Sequence, residues 1–232
     1  MKDFSILEKN LELNFKNKDL LVQAFAHRSY LNENPDFKLE HNERLEFLGD
    51  AVMELIVTEH LYKEYPDKAE GELTNWRASL VNAKMLTQVA EELQFNDFLL
   101  LSKGEEKETG KARAYILANT FEALLGAIYL DTGYYATDEF LKKYLLPRLD
   151  RIIKTGAYKD SKSRFQECSQ DKQSITPSYK VIKETGPDHN KNFVVGVFLK
   201  DELVAEGTGS SKQEAEEAAA KKALEIKKWT NR

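Results

Sequence analysis

From His41 to Leu55 the chain reads HNERLEFLGDAVMEL, and its three carboxylates Glu43, Glu46 and Asp50 recur at i, i+3 and i+7 among Leu45, Phe47, Leu48, Ala51 and Val52. That spacing stacks the acids along one face of a helix whose other side is apolar. The apolar side must be buried against other elements while like charges stay together. On most helices a charge run is a solvated face. Here no lysine stands at i+4 from Glu43 or Glu46, so the pairs that relieve repulsion on a solvated helix are missing. Acids without such partners have the character of cation ligands.

A second segment, YILANTFEALLGAIYLD from Tyr115 to Asp131, is apolar with helical periodicity, and Asn119 and Glu122 are among its polar exceptions, again at i, i+3. Two mostly apolar helices that each show oxygen ligands on one face can build one site between them. Carboxylate and amide oxygens suit magnesium or manganese and not zinc. A di-iron bundle needs Glu-x-x-His pairs, and neither Glu46 nor Glu122 has a histidine three residues on.

The stretch HNERLEFLGDAV resembles the signature of ribonuclease III, the double-stranded RNA endonuclease. The agreement extends to AHRSYLNE (Ala26 to Glu33) and EGELTNWRASLVN (Glu70 to Asn82) and covers nearly the whole chain. The resemblance implies an all-α endonuclease domain that works as a homodimer, followed by a small α+β double-stranded RNA-binding domain. It implies that Glu46, Asp50 and Glu122 hold Mg2+ and its waters, with Mn2+ able to substitute, and that Asp50 and Glu122 are the indispensable catalytic residues. Glu43 and Glu70 look like the family's accessory acids, or acids of the subunit contact. Each of two metal sites in the dimer would cut one strand, leaving 5′-phosphate and 3′-hydroxyl ends with short 3′ overhangs. Such enzymes mature ribosomal RNA precursors and some messenger and transfer RNAs.

Asn119 departs from the family pattern, which has an aspartate ligand in a sequence of the type LADxxEA where this chain reads LANTFEA. The amide is nearly isosteric and keeps one carbonyl oxygen for a metal, but a full negative charge is gone. Three readings stay open on the sequence: a natural variant that still cleaves and needs more magnesium, a non-catalytic double-stranded RNA-binding protein that uses the helical domain to dimerise, or a substitution made to trap a complex. The first is favoured because the other three acids are intact and magnesium often keeps several waters.

Helical periodicity predicts elements over Ile6–Leu11, Lys18–Ala26, Asn42–Tyr65, Gly71–Leu93, Tyr115–Asp131 and Ala136–Leu149. A polar loop lies between Leu101 and Ala114, and its Lys107, Lys111 and Arg113 read as solvated side chains in preference to contacts with an RNA backbone. The expected domains are 1–154 for the helical nuclease, 155–160 for a polar linker and 161–230 for the RNA-binding domain. The latter should run α-β-β-β-α, with helices over Ser161–Gln170 and Lys212–Trp229. Its strands fall at Tyr179–Glu184, Asn192–Leu199 and Glu202–Gly207, a three-stranded sheet that buries one face against both helices.

The net charge of −5 is unusual for a nucleic-acid binder, since phosphate contacts need Lys and Arg. The acid is concentrated: Met1 to Tyr158 has 20 Lys+Arg against 27 Asp+Glu, and Lys159 to Arg232 has 14 against 12. By resemblance, Ser163, Gln166 and Glu167 face one minor groove, His189 enters the next, and Lys212 at the start of the last helix meets phosphate. Gln213 stands where the family usually has a second lysine, at the loss of one phosphate contact. Ser211 with Glu214 three residues on reads as a capping box.

Neither end shows an apolar run long enough for a membrane span, and the start MKDFSILEKN has acids where a signal peptide would be apolar. A cytoplasmic protein without a membrane partner is expected. The one cysteine, Cys168, cannot form an internal disulfide. His27 reads as a structural residue at a helix end, and Trp76, Trp229, Tyr134 and Tyr135 as packing residues.

Overall fold

In the computed structural model, which describes residues 2–156, 161–187 and 191–229, the chain divides into two units, Met1–Tyr158 and Lys159–Arg232. The first is helical: α1 (Phe4–Leu11), α2 (Lys18–Ala24), α3 (Arg28–Glu33), α4 (Glu43–Glu64), α5 (Glu70–Leu80), α6 (Ala83–Glu92), α7 (Lys111–Thr132), α8 (Tyr134–Tyr144) and α9 (Leu149–Thr155). Its axis is the long pair α4 and α7. Leu45, Val52, Met53, Ile56 and Val57 of α4 are buried with Leu117, Phe121, Leu124, Leu125 and Ile128 of α7 in one continuous core. Apolar burial on this scale is the main stabilising contribution, since propensity alone holds a helix only marginally.

Three local results differ from the sequence expectation. The expected single helix Gly71–Leu93 is two, broken at Val81 and Asn82. The Asn82 side chain accepts the Met85 N–H at 3.0 Å as N-cap of α6 and donates to the Ala78 and Ser79 carbonyls at 3.1 and 2.9 Å, closing one helix and opening the next. Apolar periodicity runs across the break and hides it. The expected helix Ala136–Leu149 ends at Tyr144, and a 3₁₀ turn at Leu146–Arg148 carries Pro147, whose missing N–H cannot continue an α-helix. Finally, AHRSYLNE contains the short helix α3. His27 is its N-cap, its ring accepting the Ser29 N–H, which is the helix-end role expected of it.

In the polar loop, the Arg113 guanidinium donates to the carbonyls of Glu105, Glu106 and Glu108 at 2.8, 3.1 and 3.3 Å. It fastens the loop to the start of α7, so this arginine is a structural clamp and not an open phosphate contact. Trp76 is buried against Tyr65, and Tyr134 donates its hydroxyl to Glu59. Tyr135 corrects the packing expectation: it is 82% exposed.

The second unit runs α10 (Ser161–Gln173), β1 (Ser178–Thr185), β2 (Asn192–Leu199), β3 (Glu202–Gly209) and α11 (Lys212–Ile226). The strands form an antiparallel meander in the order β1-β2-β3, with Val181 opposite Val195 and Val197 opposite Ala205. Phe165 of α10, Val197 and Leu199 of β2, Val204 of β3 and Ala219, Ala220 and Ala223 of α11 make its core. The small side chains of Ala219, Ala220 and Ala223 let α11 lie close on the sheet. This is the α-β-β-β-α order expected from the sequence. Of the linker 155–160, residues 157–160 lie outside the described residues.

Candidate metal centre and RNA face

The acids are brought together by two glycines. A Cβ built on Gly49 of α4 would overlap the Glu122 carbonyl of α7, and one built on Gly126 of α7 would overlap the Leu45 carbonyl of α4. Each helix therefore presents a glycine to the backbone of the other, and only residues without a Cβ permit so close a crossing. Glu46 and Asp50 flank Gly49, while Asn119 and Glu122 precede Gly126 by two turns and one. The close crossing puts the four side chains at one place. Sequence reading singled out the acids and passed over these glycines, although a glycine inside each acid-bearing helix was a visible signal.

Glu46, Asn119 and Glu122 are half-buried and Asp50 is exposed, so the group opens to solvent on one side. The Asn119 amide faces the Glu46 carboxylate across the two helices and favours its charged form. Burial pushes the Glu46 carboxyl up, with Glu43 and Asp50 adding like-charge repulsion and the Asn119 amide opposing it. Glu122 is pushed up to about 7, first by burial and then by Asp50 and Glu46. Glu46, Asp50 and Glu122 share one field, which is what a cation site looks like before its charge is balanced. Among the described residues no three His, Cys, Asp or Glu side chains close on one another as a finished metal cage. The Asn119 amide contributes one of the polar groups between the acids.

Glu43 lies at the edge of this field. It raises Glu46 and pairs with Arg28 at 3.4 Å and with His41 at 3.8 Å. Glu70 is not brought to the acids within one chain: it opens α5, accepts the Thr74 hydroxyl at 2.9 Å and borders a cleft with Tyr62, Pro66, Leu73 and Arg77.

The raised Glu122 has a consequence for stability. Between the ordinary carboxylate value of 4.5 and about 7 the native chain holds a proton there that the unfolded chain has lost. The contribution is therefore fully present below about 4.5 and is lost as pH rises through about 7. In metal-free buffer, the melting temperature of Glu122→Gln should match that of the unaltered chain near pH 4, exceed it increasingly as pH rises to about 7, and level off above that. Comparing the two chains cancels the opposite slope of His27 and His60, both lowered by burial. Thermal melts at four pH values check this, and a constant difference would contradict it.

In the second unit, Ser163 and Gln166 of α10 and Ser211 and Gln213 at the start of α11 border one cleft, with Lys162 and Tyr179 beside them. Glu167 borders an adjoining hollow with Ser163 and Gln166. Lys212 is the first residue of α11, its ammonium 5.9 Å from the Phe193 ring centre. Ser211 accepts the Glu214 N–H at 3.1 Å as N-cap, and Glu214 accepts the Ser210 N–H at 2.9 Å, one residue earlier than a reciprocal capping box places it. His189 lies outside the described residues.

Residues 17–149 match the family model described as ribonuclease-III-like, and residues 161–227 match the double-stranded RNA binding motif. This chain belongs to the ribonuclease III family. Among its relatives, Ribonuclease 3 of Oceanobacillus iheyensis is 46% identical over 226 residues, covering 96% of this chain and 97% of the relative. Ribonuclease 3 of Borreliella afzelii is 45% identical over 216 residues, 93% of this chain and 88% of that one. A solved structure of the nuclease domain of ribonuclease III from Campylobacter jejuni, concerned with flexibility in a region involved in dimer formation, is 38% identical with a TM-score of 0.57. It covers 62% of this chain and 99% of that chain. The ribonuclease III match spans α2 to the start of α9, so both acid-bearing helices lie inside it.

Proposed function

We propose that this member of the ribonuclease III family is an endoribonuclease that hydrolyses double-stranded RNA with Mg2+, or Mn2+ in its place, at the crossing of α4 and α7. The observation that carries the reading is the set Glu46, Asp50, Asn119 and Glu122, joined at that crossing inside the matched nuclease region. Its donors are all oxygen, which fits a hard divalent cation. Glu46, Asp50 and Glu122 would hold the ion, with the Asn119 carbonyl oxygen as a neutral fourth donor. Such an ion supplies an activated water and stabilises charge on the phosphate. The chain's own part is to fix that position. The glycine contacts set the spacing of the helices, and the Asn119 amide orients Glu46. The exposed side at Asp50 leaves the approach for the RNA strand. No observation favours the alternative of a non-catalytic double-stranded RNA-binding protein.

The second unit binds double-stranded RNA, since it carries that motif over 161–227. Ser163, Gln166 and Glu167 are the minor-groove residues of this reading, with His189 in the next groove and Lys212 on phosphate. Recognition is of shape, so targets are structured transcripts, ribosomal RNA precursors among them. The homodimer has a candidate surface in α4, where Phe47, Leu55 and Tyr62 are 81, 58 and 75% exposed. Large apolar side chains gathered on one helix mark an interaction site. Glu70, which the single chain keeps away from the acids, is read as an accessory acid of that assembly. Among the described residues no helix is long and apolar enough to cross a membrane, and the cytoplasm is the proposed location.

Incubating a perfect RNA duplex with the chain and Mg2+ tests the proposal. Fragments with 5′-phosphates, 3′-hydroxyls and short 3′ overhangs are expected, and sedimentation should give twice the mass of one chain. Fragments cut on one strand only, or with 5′-hydroxyl ends, would contradict it.

A further inference from the structure

Asn42 stands directly before α4, where an asparagine ordinarily caps the helix with its side chain. It forms no such cap here, and its backbone is already helical, with φ −79 and ψ −10. The side chain turns the other way and is 3% exposed, its amide donating to the Ala24 carbonyl at 3.2 Å. The Asn42 N–H donates to the Ala26 carbonyl at 2.9 Å, and the Asn42 carbonyl accepts the N–H of Glu46, also at 2.9 Å. The segment from Ala24 to Ser29, which receives Asn42, also holds residues 100–102, which precede α7. Phe25 accepts the Leu100 N–H at 2.9 Å, and His27 donates to the Leu100 carbonyl at 3.1 Å. The Ser29 hydroxyl accepts the Ser102 N–H at 3.1 Å.

We propose that Asn42 is a positioning residue of the metal centre: a buried strut that sets the first turn of α4 and thereby aims the Glu46 carboxylate at Asn119 and the ion. This rests on the reading of Glu46 as a ligand. The position requires a donor towards the Ala24 carbonyl. Aspartate has the same shape and caps helices equally well, but it would set a carboxylate against that carbonyl oxygen. A capping role therefore tolerates Asn42→Asp, and a strut does not.

The test measures Mn2+ binding to the full chain without RNA, by the electron paramagnetic resonance of free manganese. Helical circular dichroism and duplex binding accompany it. Asn42→Ala and Asn42→Asp should keep the helical spectrum and duplex affinity while weakening Mn2+ binding about tenfold, as loss of an outer-shell support does. In a double-mutant cycle, Asn42→Ala added to Glu46→Gln should cost little more than Glu46→Gln alone, because one acts through the other. A merely structural role lowers the fraction of competent protein and leaves the affinity of the rest unchanged. Unchanged Mn2+ affinity in Asn42→Ala beside weakened binding in Glu46→Gln would overturn the proposal alone, as would full additivity. Unchanged binding in Glu46→Gln, with loss in Glu122→Gln, would remove Glu46 as a ligand and the strut with it.

Discussion

Glu122→Gln should lower cleavage of duplex RNA by on the order of 10³-fold and leave duplex binding within about twofold, because a preorganised charge is lost at the reacting centre and not at the RNA face. The substitution is nearly isosteric. It keeps one oxygen and removes the charge that burial, Asp50 and Glu46 hold under strain. The apo protein should gain stability at neutral pH from the same change, since a carboxyl raised to about 7 is a cost once ionised. Loss of activity with a gain in stability separates a functional acid from a structural one. Cleavage rates and duplex affinity, measured on the same preparations, check the claim. Retained cleavage would remove Glu122 from the centre.

Gly49→Ala should be the most damaging small substitution in the nuclease unit, costing about 3 kcal/mol or more, because overpacking against fixed backbone leaves no side chain free to yield. The added methyl meets the Glu122 carbonyl and the Gly126 nitrogen. The α4 and α7 axes must separate, and Glu46 and Asp50 move away from Glu122 as they do. Gly71→Ala is the control. Gly71 is the second residue of α5 with nothing near the position of an added Cβ, so that variant should stay within about 0.5 kcal/mol of the unaltered chain. Urea unfolding of both variants reads the difference. A Gly49→Ala cost below about 0.5 kcal/mol would mean that the helices do not depend on this contact.

The acids were legible in the sequence because helical spacing is a local property, and Glu43, Glu46 and Asp50 share a face whatever surrounds them. Asn119 and Glu122 were legible for the same reason. What joins the two helices was not. Gly49 and Gly126 matter through the backbone opposite, which lies more than 70 residues away in sequence. The division between α5 and α6 escaped because apolar periodicity continues through Asn82. The turned amide of Asn42 escaped because asparagine before a helix looks the same whether it caps or braces. Arg113 read as a solvated loop residue, and only the loop's own carbonyls show what it holds. In the second unit, the element order α-β-β-β-α was readable from the sequence, since a small sheet leaves one face to cover.

The most direct test is the cleavage of a perfect RNA duplex by the unaltered chain across a magnesium series, with Asn119→Asp beside it. The unaltered chain should cleave with saturable dependence on magnesium. Asn119→Asp should reach half-maximal rate at a lower concentration, because it restores a charge to the same ligand field. Duplex binding without cleavage by the unaltered chain, at any concentration of magnesium or manganese, would contradict the assignment of this centre as a working nuclease site.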